Sequence, residues 1–277
     1  MTETTQRFDI LQFSEKIAAV KAEAGKALIG QHKMLDLLLT AFFAGGHVLI
    51  EGVPGVAKTL SARLLAATTK AEFKRIQFTP DLMPSDILGT SIFNPRTMDF
   101  EFKPGPIFAN MVLIDEINRA PSKTQAALFE VMEEKQITQD GMAHPMEPLF
   151  IVMATQNPIE QEGTYRLPEA QLDRFMFKII VGYPKLEEEQ EILSLQNQTA
   201  GFKHLKFIQE IITKVEAVSF RENLQHILAK DTLLKYIAQL IHQTRNHPSI
   251  YLGASPRAAI DLLNASKAYA AMRGRIF

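Results

Sequence analysis

The stretch that most constrains the fold of this chain is residues 52–59, with the sequence GVPGVAKT. It follows an apolar run at 47–51, which favours a β-strand, and it precedes a helical pattern at 60–65. A strand, a glycine-rich turn ending in Lys-Thr and a helix form the arrangement of a phosphate-binding loop, or P-loop. Small residues let backbone N–H groups turn towards phosphate oxygens, and the helix N-terminus adds partial positive charge.

The last residues of this loop have specific expected roles. Lys58 would reach the β- and γ-phosphates of a nucleotide, and the Thr59 hydroxyl would ligate Mg²⁺. Ala57 replaces the glycine that usually precedes the lysine, so we expect Gly52 and Gly55 to adopt the difficult backbone angles. The alternative is an ordinary strand–turn–helix with a chance Lys-Thr pair. The predicted nucleotide contacts along the loop are Gly52, Val53, Pro54, Gly55, Val56, Ala57, Lys58, Thr59 and Leu60.

A second informative stretch is 111–116, with the sequence MVLIDE. Four apolar residues before two acids favour a buried parallel strand that ends in carboxylates. That end of a strand lies at the edge of an α/β sheet where ligands bind. There Asp115 would hold Mg²⁺, directly or through a water, and Glu116 would be the general base for the attacking water.

A third polar group follows the apolar run 150–154, which predicts another buried strand. This strand would deliver Asn157 to the same edge, where the side chain could orient the attacking water. The alternative is a turn asparagine before Pro158, which is a common local structure.

The remaining pattern alternates helices and strands up to about residue 181 and is helical after it. Helices are predicted at 10–28, 34–43 and 123–134, the last with Ser122 as N-cap and Gln125 at the capping-box position, and a short one from Pro168. Strands are predicted at 73–78 and 177–181, and hairpins at 90–108 and 136–149. Helical patterns follow at 186–198, 207–217, 230–247 and 255–272. The turn at 29–31 is either a wall of the base pocket or a plain interhelix turn.

Composition excludes several classes of function. The chain of 277 residues carries a net charge of −1 and has no cysteine, which excludes disulfides, thiolate metal sites and a cysteine nucleophile. The polar segment 1–8 and the absence of a long apolar run predict a soluble, cytoplasmic protein. The histidines lack metal-ligand spacing, and no Asn-Lys-x-Asp guanine motif is present, so ATP is preferred to GTP.

With these motifs in order, the chain resembles the AAA+ ATPases and, within them, the MoxR family. The resemblance covers nearly the whole length of the chain. The segments that carry it are similar to Walker A (52–59), Walker B (112–116), the DEINRA segment that follows (115–120), sensor 1 (154–158), the arginine-finger segment (172–175, LDRF) and sensor 2 (253–257, GASPR).

The resemblance implies an α/β fold of the P-loop NTPase (AAA+) class. Its three-layer αβα core would surround a parallel five-stranded sheet, and a smaller C-terminal all-α lid domain would follow. The implied boundaries are 1–183 for the nucleotide-binding domain and 184–277 for the lid. Related proteins tend to continue beyond the point that corresponds to Phe277, so a truncated lid is expected.

The resemblance also implies a role for each residue of the site. Glu116, Asn157, Arg174 and Arg257 would be catalytic, and Thr59 and Asp115 would hold Mg²⁺ beside ATP. Lys58 and Arg257 could act in cis, whereas Arg174 would complete a neighbour's site, which implies a homo-oligomeric ring, as in the hexamers of the family. The alternatives are a helix-end salt bridge for Arg174 and a lid-packing role for Arg257.

The function implied is that of a chaperone-type ATPase that remodels or activates partner proteins. In the family such partners carry a von Willebrand factor A domain, sometimes in the maturation of metalloenzymes. One alternative is a nucleic-acid motor, against which stand the near-zero net charge and hairpins in which Arg96 and Lys103 are isolated. A magnesium-chelatase-type subunit is another alternative, and Glu116 argues against a binding module without turnover.

Overall fold

The computed structural model describes residues 9–158, 165–199 and 207–275. The polar N-terminal segment 1–8, residues 160–164 of the loop expected before Pro168, and the last residues, Ile276 and Phe277, lie outside the described residues. The expectations for these segments therefore remain expectations.

The described residues form nine strands and ten α-helices. The strands are β1 (His47–Gly52), β2 (Phe73–Gln77), β3 (Gly89–Asn94), β4 (Asp99–Pro104), β5 (Met111–Asp115), β6 (Gln136–Gln139), β7 (Met142–Pro145), β8 (Ile151–Gln156) and β9 (Phe175–Val181). The helices are α1 (Ile10–Gly25), α2 (His32–Ala44), α3 (Lys58–Thr68), α4 (Pro84–Leu88), α5 (Ser122–Glu134), α6 (Glu169–Leu172), α7 (Leu186–Thr199), α8 (Lys214–Gln225), α9 (Asp231–Asn246) and α10 (Pro256–Met272).

A five-stranded parallel sheet with the strand order β2-β5-β8-β1-β9 forms the centre of the molecule. Every residue of β5 is buried, because successive side chains point to opposite faces and both faces are covered by helices. Leu113 packs into the cluster that contains α1, α2 and α3, whereas Val112 and Ile114 pack into the cluster that contains α5. The predicted three-layer αβα core is confirmed.

Two hairpins project from this core, as the sequence predicts. Strands β3 and β4 pair only with each other in the described chain, and so do β6 and β7. The hairpins touch, because the Phe102 ring stacks on His144 with 4.2 Å between centroids and Ser91 contacts the Asp140 carboxylate. They therefore stand together on one side of the sheet, outside the core.

Two local predictions in the helices are wrong. Helix α5 begins at Ser122 with Pro121 as its N-cap, and Gln125 instead donates from Nε2 to the carbonyls of Ile117 and Ala120. The helix predicted at 207–217 starts only at Lys214. An apolar run with helical spacing carries no information on whether its N–H groups bond locally or to another element.

The residues before Lys214 are held by the α/β part instead. The N–H groups of Ile211 and Ile212 donate to the Thr68 carbonyl at the end of α3, and Ile212 is fully buried. Thr213 then caps α8, since its hydroxyl accepts from the Glu216 N–H and the Glu216 carboxylate accepts from the Thr213 N–H. The hydrogen bonds to the end of α3 are therefore followed directly by the first turn of α8.

The C-terminal helices pack closely on the α/β part. Phe220 of α8 makes edge-to-face contacts with Phe13 and Phe43, and α10 lies against α1 and α2. Arg221 donates to the Phe42 carbonyl at the end of α2, and burial lowers the pKa of its guanidinium to about 10. The boundary at 183/184 stays a prediction. Across the described ranges, no helix has the length and apolar character needed to cross a membrane.

Candidate nucleotide-binding and hydrolysis site

The P-loop connects the end of β1 to the start of α3, and its backbone contains two left-handed residues. Gly55 has φ 86°, as expected, but the second is Ala57, with φ 61° and ψ 21°. The expectation for Gly52 is wrong, because its φ is not positive. A Cβ atom on Gly52 would lie 2.6 Å from the Val181 carbonyl oxygen, so this glycine is required by the close approach of β9.

Lys58, the first residue of α3, bends back across the loop. Its Nζ atom donates to the Gly52 carbonyl at 2.6 Å, which keeps the ammonium group above the loop rather than in solvent. Thr59 and Leu60 follow in the first turn of α3 and are half-buried. The loop, the lysine and the N-terminus of α3 therefore lie together, which is the arrangement that a phosphate-binding loop requires.

Asp115 ends β5, which β8 separates from β1, and it is 7% exposed. Its Oδ1 accepts from the Thr155 hydroxyl at 3.1 Å, and its Oδ2 lies 2.5 Å from Arg75 Nε. The Thr155 hydroxyl oxygen in turn accepts from the Glu116 N–H at 3.1 Å. Thr155 thus joins the two acids to the neighbouring strand β8 and fixes their positions.

Glu116 adopts a left-handed backbone conformation, with φ 58° and ψ 52°, which is uncommon for a residue with a side chain. Its Oε2 accepts from Gln77 Nε2 at 2.8 Å and forms an ion pair with Arg119 Nε at 2.8 Å. Such backbone strain clusters at functional sites, so it supports a functional role for Glu116.

Asn157 directly follows β8 at the same edge. Glu51 pairs with Gln156, and Ile114 pairs with Ala154, so β1, β5 and β8 end side by side. The structure therefore brings the P-loop, both acids and Asn157 to the C-terminal edge of the sheet, where ligands bind in open α/β folds.

Arg174 and Arg257 lie at the opposite edge. Arg174 precedes Phe175, which pairs with His47 at the start of β1, about six strand residues or roughly 20 Å from the P-loop. Arg174 Nη1 contacts the Glu133 carboxylate, and Arg257 Nη2 lies 2.5 Å from Glu133 Oε1. The expectation that Arg257 could act in cis is therefore not met, since it lies beside Arg174.

The position of Arg257 follows from how α10 begins. Ser255, the N-cap of α10, accepts from the Ala258 N–H and donates to Asp173 Oδ1 at 2.6 Å. This bond holds the helix start beside the residue that precedes Arg174. Burial lowers the pKa of Arg174, and the charge of Arg257 lowers it further, because two positive side chains share the Glu133 carboxylate at this edge.

Sequence reasoning did not assign a role to Arg75, Gln77 or Arg119, although one signal was present. The alternation in β2 places Arg75 and Gln77 on the same face of the strand. Since β2 pairs with β5 so that Gln77 lies opposite Asp115, both side chains reach the acids. The strand order, which the sequence does not state, was needed to see this.

The oxygen atoms at the C-terminal edge suit Mg²⁺. This cation prefers oxygen ligands and commonly uses one or two protein groups together with substrate phosphates. The Thr59 hydroxyl at the start of α3 and the Asp115 carboxylate at the end of β5 are such groups at this edge of the sheet. Within 9–158, 165–199 and 207–275 there is no group of three His, Cys, Asp or Glu side chains that could hold a metal ion alone.

Two family models match parts of this chain. Residues 47–177 match the model of the ATPase family associated with various cellular activities (AAA), and residues 242–277 match the AAA lid domain. The first match contains β1, the P-loop, both acids, Asn157 and Arg174. The second contains Arg257 and α10.

Similar proteins cover most of the chain. The protein YeaC of Bacillus subtilis, whose function is not characterised, is 49% identical over 90% of this chain and 77% of its own length. Chaperone MoxR1 of Mycobacterium tuberculosis is 42% identical over 91% of this chain and 68% of its own length. A crystal structure of a candidate ATPase from Cytophaga hutchinsonii is 44% identical, with a TM-score of 0.88 over 97% of this chain and 83% of that one.

Proposed function

Because this chain belongs to the MoxR family of AAA+ ATPases, we propose that it binds ATP with Mg²⁺ and hydrolyses it to ADP and phosphate. The observation that carries the proposal is the convergence of Lys58, Asp115 and Glu116 at one sheet edge. Each supplies a group that phosphoryl transfer to water requires: a cation for the phosphates, a ligand for the metal and a base.

The roles of the residues follow from charge. The backbone N–H groups between Gly52 and Leu60, except at Pro54, which has none, would bind the phosphates together with Lys58. The Lys58 ammonium would exchange the Gly52 carbonyl for phosphate oxygens. Thr59 and Asp115 would hold Mg²⁺, which when bound neutralises charge on the phosphates. Glu116 would accept a proton from the attacking water, and Asn157 would orient that water.

The contacts of Glu116 hold its carboxylate in one position. Its Oε2 accepts from Gln77 Nε2 and forms an ion pair with Arg119, so turning this oxygen towards an attacking water would break these contacts. We expect bound nucleotide to favour release of this contact, which would tie hydrolysis to occupancy of the site.

The two arginines at the far edge support an oligomeric arrangement. Hydrolysis needs positive groups on oxygens that gain charge, and Arg174 and Arg257 are too far from their own P-loop to provide them. A head-to-tail ring would bring this edge of one subunit to the P-loop of the next, and a hexamer is the proposed assembly. Both arginines would then act on the neighbouring site.

The energy of hydrolysis would be used to remodel or activate a partner protein. A relative named as a chaperone supports this proposal. More specifically, we propose that the partners carry a von Willebrand factor A domain and that the protein acts in the maturation of metalloenzymes. We place the protein in the cytoplasm and keep 1–183 and 184–277 as its proposed domains. Among the residues that the structure describes, no contact or surface favours a nucleic-acid motor over this proposal.

Substitution of Glu116 tests the enzymatic proposal. The Glu116→Gln protein should bind ATP as the parent does and lose at least about 100-fold in turnover, because the proton acceptor is gone. Binding is measured with a fluorescent ATP analogue and turnover by phosphate release. Parent-like turnover in this variant would remove Glu116 from the mechanism.

The same variant tests the choice of partner. Held in ATP, the Glu116→Gln protein should retain a protein partner in a pull-down that the Lys58→Ala variant does not retain. DNA added to the parent should leave the rate of hydrolysis unchanged. A several-fold stimulation by DNA would favour the motor instead.

A further inference from the structure

A positive side chain of the chain itself pairs with the carboxylate that would hold the metal. Asp115 is nearly buried, and both of its oxygens are engaged, Oδ1 by the Thr155 hydroxyl and Oδ2 by Arg75 Nε. Thr155 is neutral, so Arg75 supplies the charge that compensates this carboxylate. A buried carboxylate without such compensation carries a large desolvation cost.

The sheet explains how Arg75 reaches Asp115. Strand β2 runs parallel to β5 with Gln77 opposite Asp115, and Arg75 lies two residues earlier on the same face. A long side chain directed along the strand can therefore extend to the end of β5. Arg75 Nη2 also lies 3.4 Å from Gln77 Oε1, so one face of β2 contacts both acids.

The two partners differ in their access to solvent. The Arg75 side chain is 55% exposed, whereas the Asp115 side chain is only 10% exposed. The guanidinium group can therefore rotate into water without opening the core, while the carboxylate stays in place. A divalent cation could therefore replace the Arg75 guanidinium group at Asp115 Oδ2 without a movement of the backbone.

From these contacts we propose that Arg75 is the counter-cation of Asp115 in the nucleotide-free protein, and that it competes with the divalent cation for this carboxylate. Arg75 stabilises the empty site and is released when the metal arrives with the nucleotide. The inference rests on the proposed ATP site. It assigns Arg75 a positioning role and not a catalytic one.

The inference predicts how the affinity for Mg²⁺ changes when Arg75 is removed. In Arg75→Gln and Arg75→Ala, the Mg²⁺ concentration that half-saturates binding of a fluorescent ADP analogue should fall by roughly two- to fivefold, the range of an ion pair with a largely exposed partner. The measurement is a magnesium titration at fixed analogue concentration, without hydrolysis. The matched control is Lys74→Gln, which removes one positive charge from the same strand, on the opposite face, where Lys74 pairs with Glu72.

Two outcomes of this titration would overturn the inference. An unchanged half-saturating concentration in both Arg75 variants would show that Arg75 does not compete with the metal. A higher concentration would show that Arg75 prepares Asp115 for the metal rather than occupying it. If the parent itself does not bind the analogue at any magnesium concentration, the proposed ATP site fails, and that failure is distinguishable from both.

Thermal unfolding in EDTA without nucleotide gives an independent readout. Arg75→Gln should lower the Tm of the parent, because it leaves the Asp115 carboxylate uncompensated. In an Asp115→Asn background the same substitution should not lower the Tm, because no charge remains to compensate. An equal loss in both backgrounds would show that Arg75 stabilises the fold through other contacts and would contradict the pairing.

Discussion

Ala57 holds a backbone conformation that favours glycine, at the end of the loop that would bind phosphate. A left-handed conformation costs a residue with a Cβ atom roughly 1 kcal/mol or more. The sequence showed that Ala57 departs from the motif. It did not show that Ala57 itself would adopt the left-handed conformation. Backbone angles depend on the whole loop, which closes between β1 and α3.

The Ala57→Gly substitution should therefore stabilise the protein. We expect the free energy of unfolding to rise by up to about 1 kcal/mol, because relief of the strain, roughly 1–2 kcal/mol, exceeds the added entropy of the unfolded chain, roughly 0.4–1 kcal/mol. Urea unfolding without nucleotide measures this. The control, Ala67→Gly within α3, should lower stability by about 1 kcal/mol. A loss of stability in Ala57→Gly would contradict the account of the loop.

His47 is a buried histidine that the fold keeps neutral. Its Nε2 lies 3.1 Å from the Met132 carbonyl oxygen, and its Nδ1 accepts from the Val152 N–H at 2.9 Å. Burial is the main cause that lowers its pKa from 6.5 to about 4. A proton on Nδ1 would face the Val152 N–H, so the folded state resists protonation.

This histidine should make stability fall with acidification. Because the pKa is lower in the folded state, its contribution is complete above pH 6.5 and is lost as the pH falls towards 4, by roughly 3 kcal/mol in all. Urea unfolding at pH 7, 5.5 and 4 should show a smaller loss for His47→Phe than for the parent. The exposed control His242→Gln should lose stability with falling pH as steeply as the parent does. If His47→Phe loses stability equally steeply, the pH dependence does not come from His47.

At the scale of elements, capping contacts determine where helices begin. The sequence placed the strands of the sheet, both hairpins, α9 and α10 within a few residues, because their apolar periods are strong. It missed the start of α8, since the apolar residues before Thr213 pack against α1 and α3 rather than forming a helix. The Thr213–Glu216 capping box is a local signal that could have corrected this.

The capping box predicts a specific loss of stability. Thr213→Ala should lower the free energy of unfolding by about 1 kcal/mol, because the Glu216 N–H loses its acceptor. The control is Thr232→Ala, an exposed threonine in the first turn of α9, which should change stability by less than about 0.5 kcal/mol. Equal effects of the two substitutions in urea unfolding would argue against a cap at Thr213.

At the scale of the whole molecule, the groups that we propose for one reaction lie at opposite edges of the sheet. The P-loop, both acids and Asn157 lie at one edge, and Arg174 and Arg257 share Glu133 at the other. The motifs could be identified from the sequence one by one. The position of Arg257 could not be predicted from the sequence, because it depends on how α10 packs on α1, α2 and β9.

This separation predicts how arginine variants combine. If both arginines of one subunit act on the same neighbouring site, mixing Arg174→Ala with Arg257→Ala subunits should not restore hydrolysis, because each subunit presents an incomplete pair. If Arg257 acted in cis, the mixture would regain activity at interfaces where each subunit supplies what the other lacks. Phosphate release by the mixture, with assembly checked by light scattering, separates these cases.

The central claim is that one ATP site is built from two subunits, and mixing Arg174→Ala with Glu116→Gln subunits tests it most directly. Each variant alone should be nearly inactive. An equimolar mixture of assembled rings should recover up to about a quarter of the parental rate, the share of interfaces at which an intact Glu116 meets an intact neighbouring Arg174. No recovery, with mixed rings shown to form, would contradict the claim.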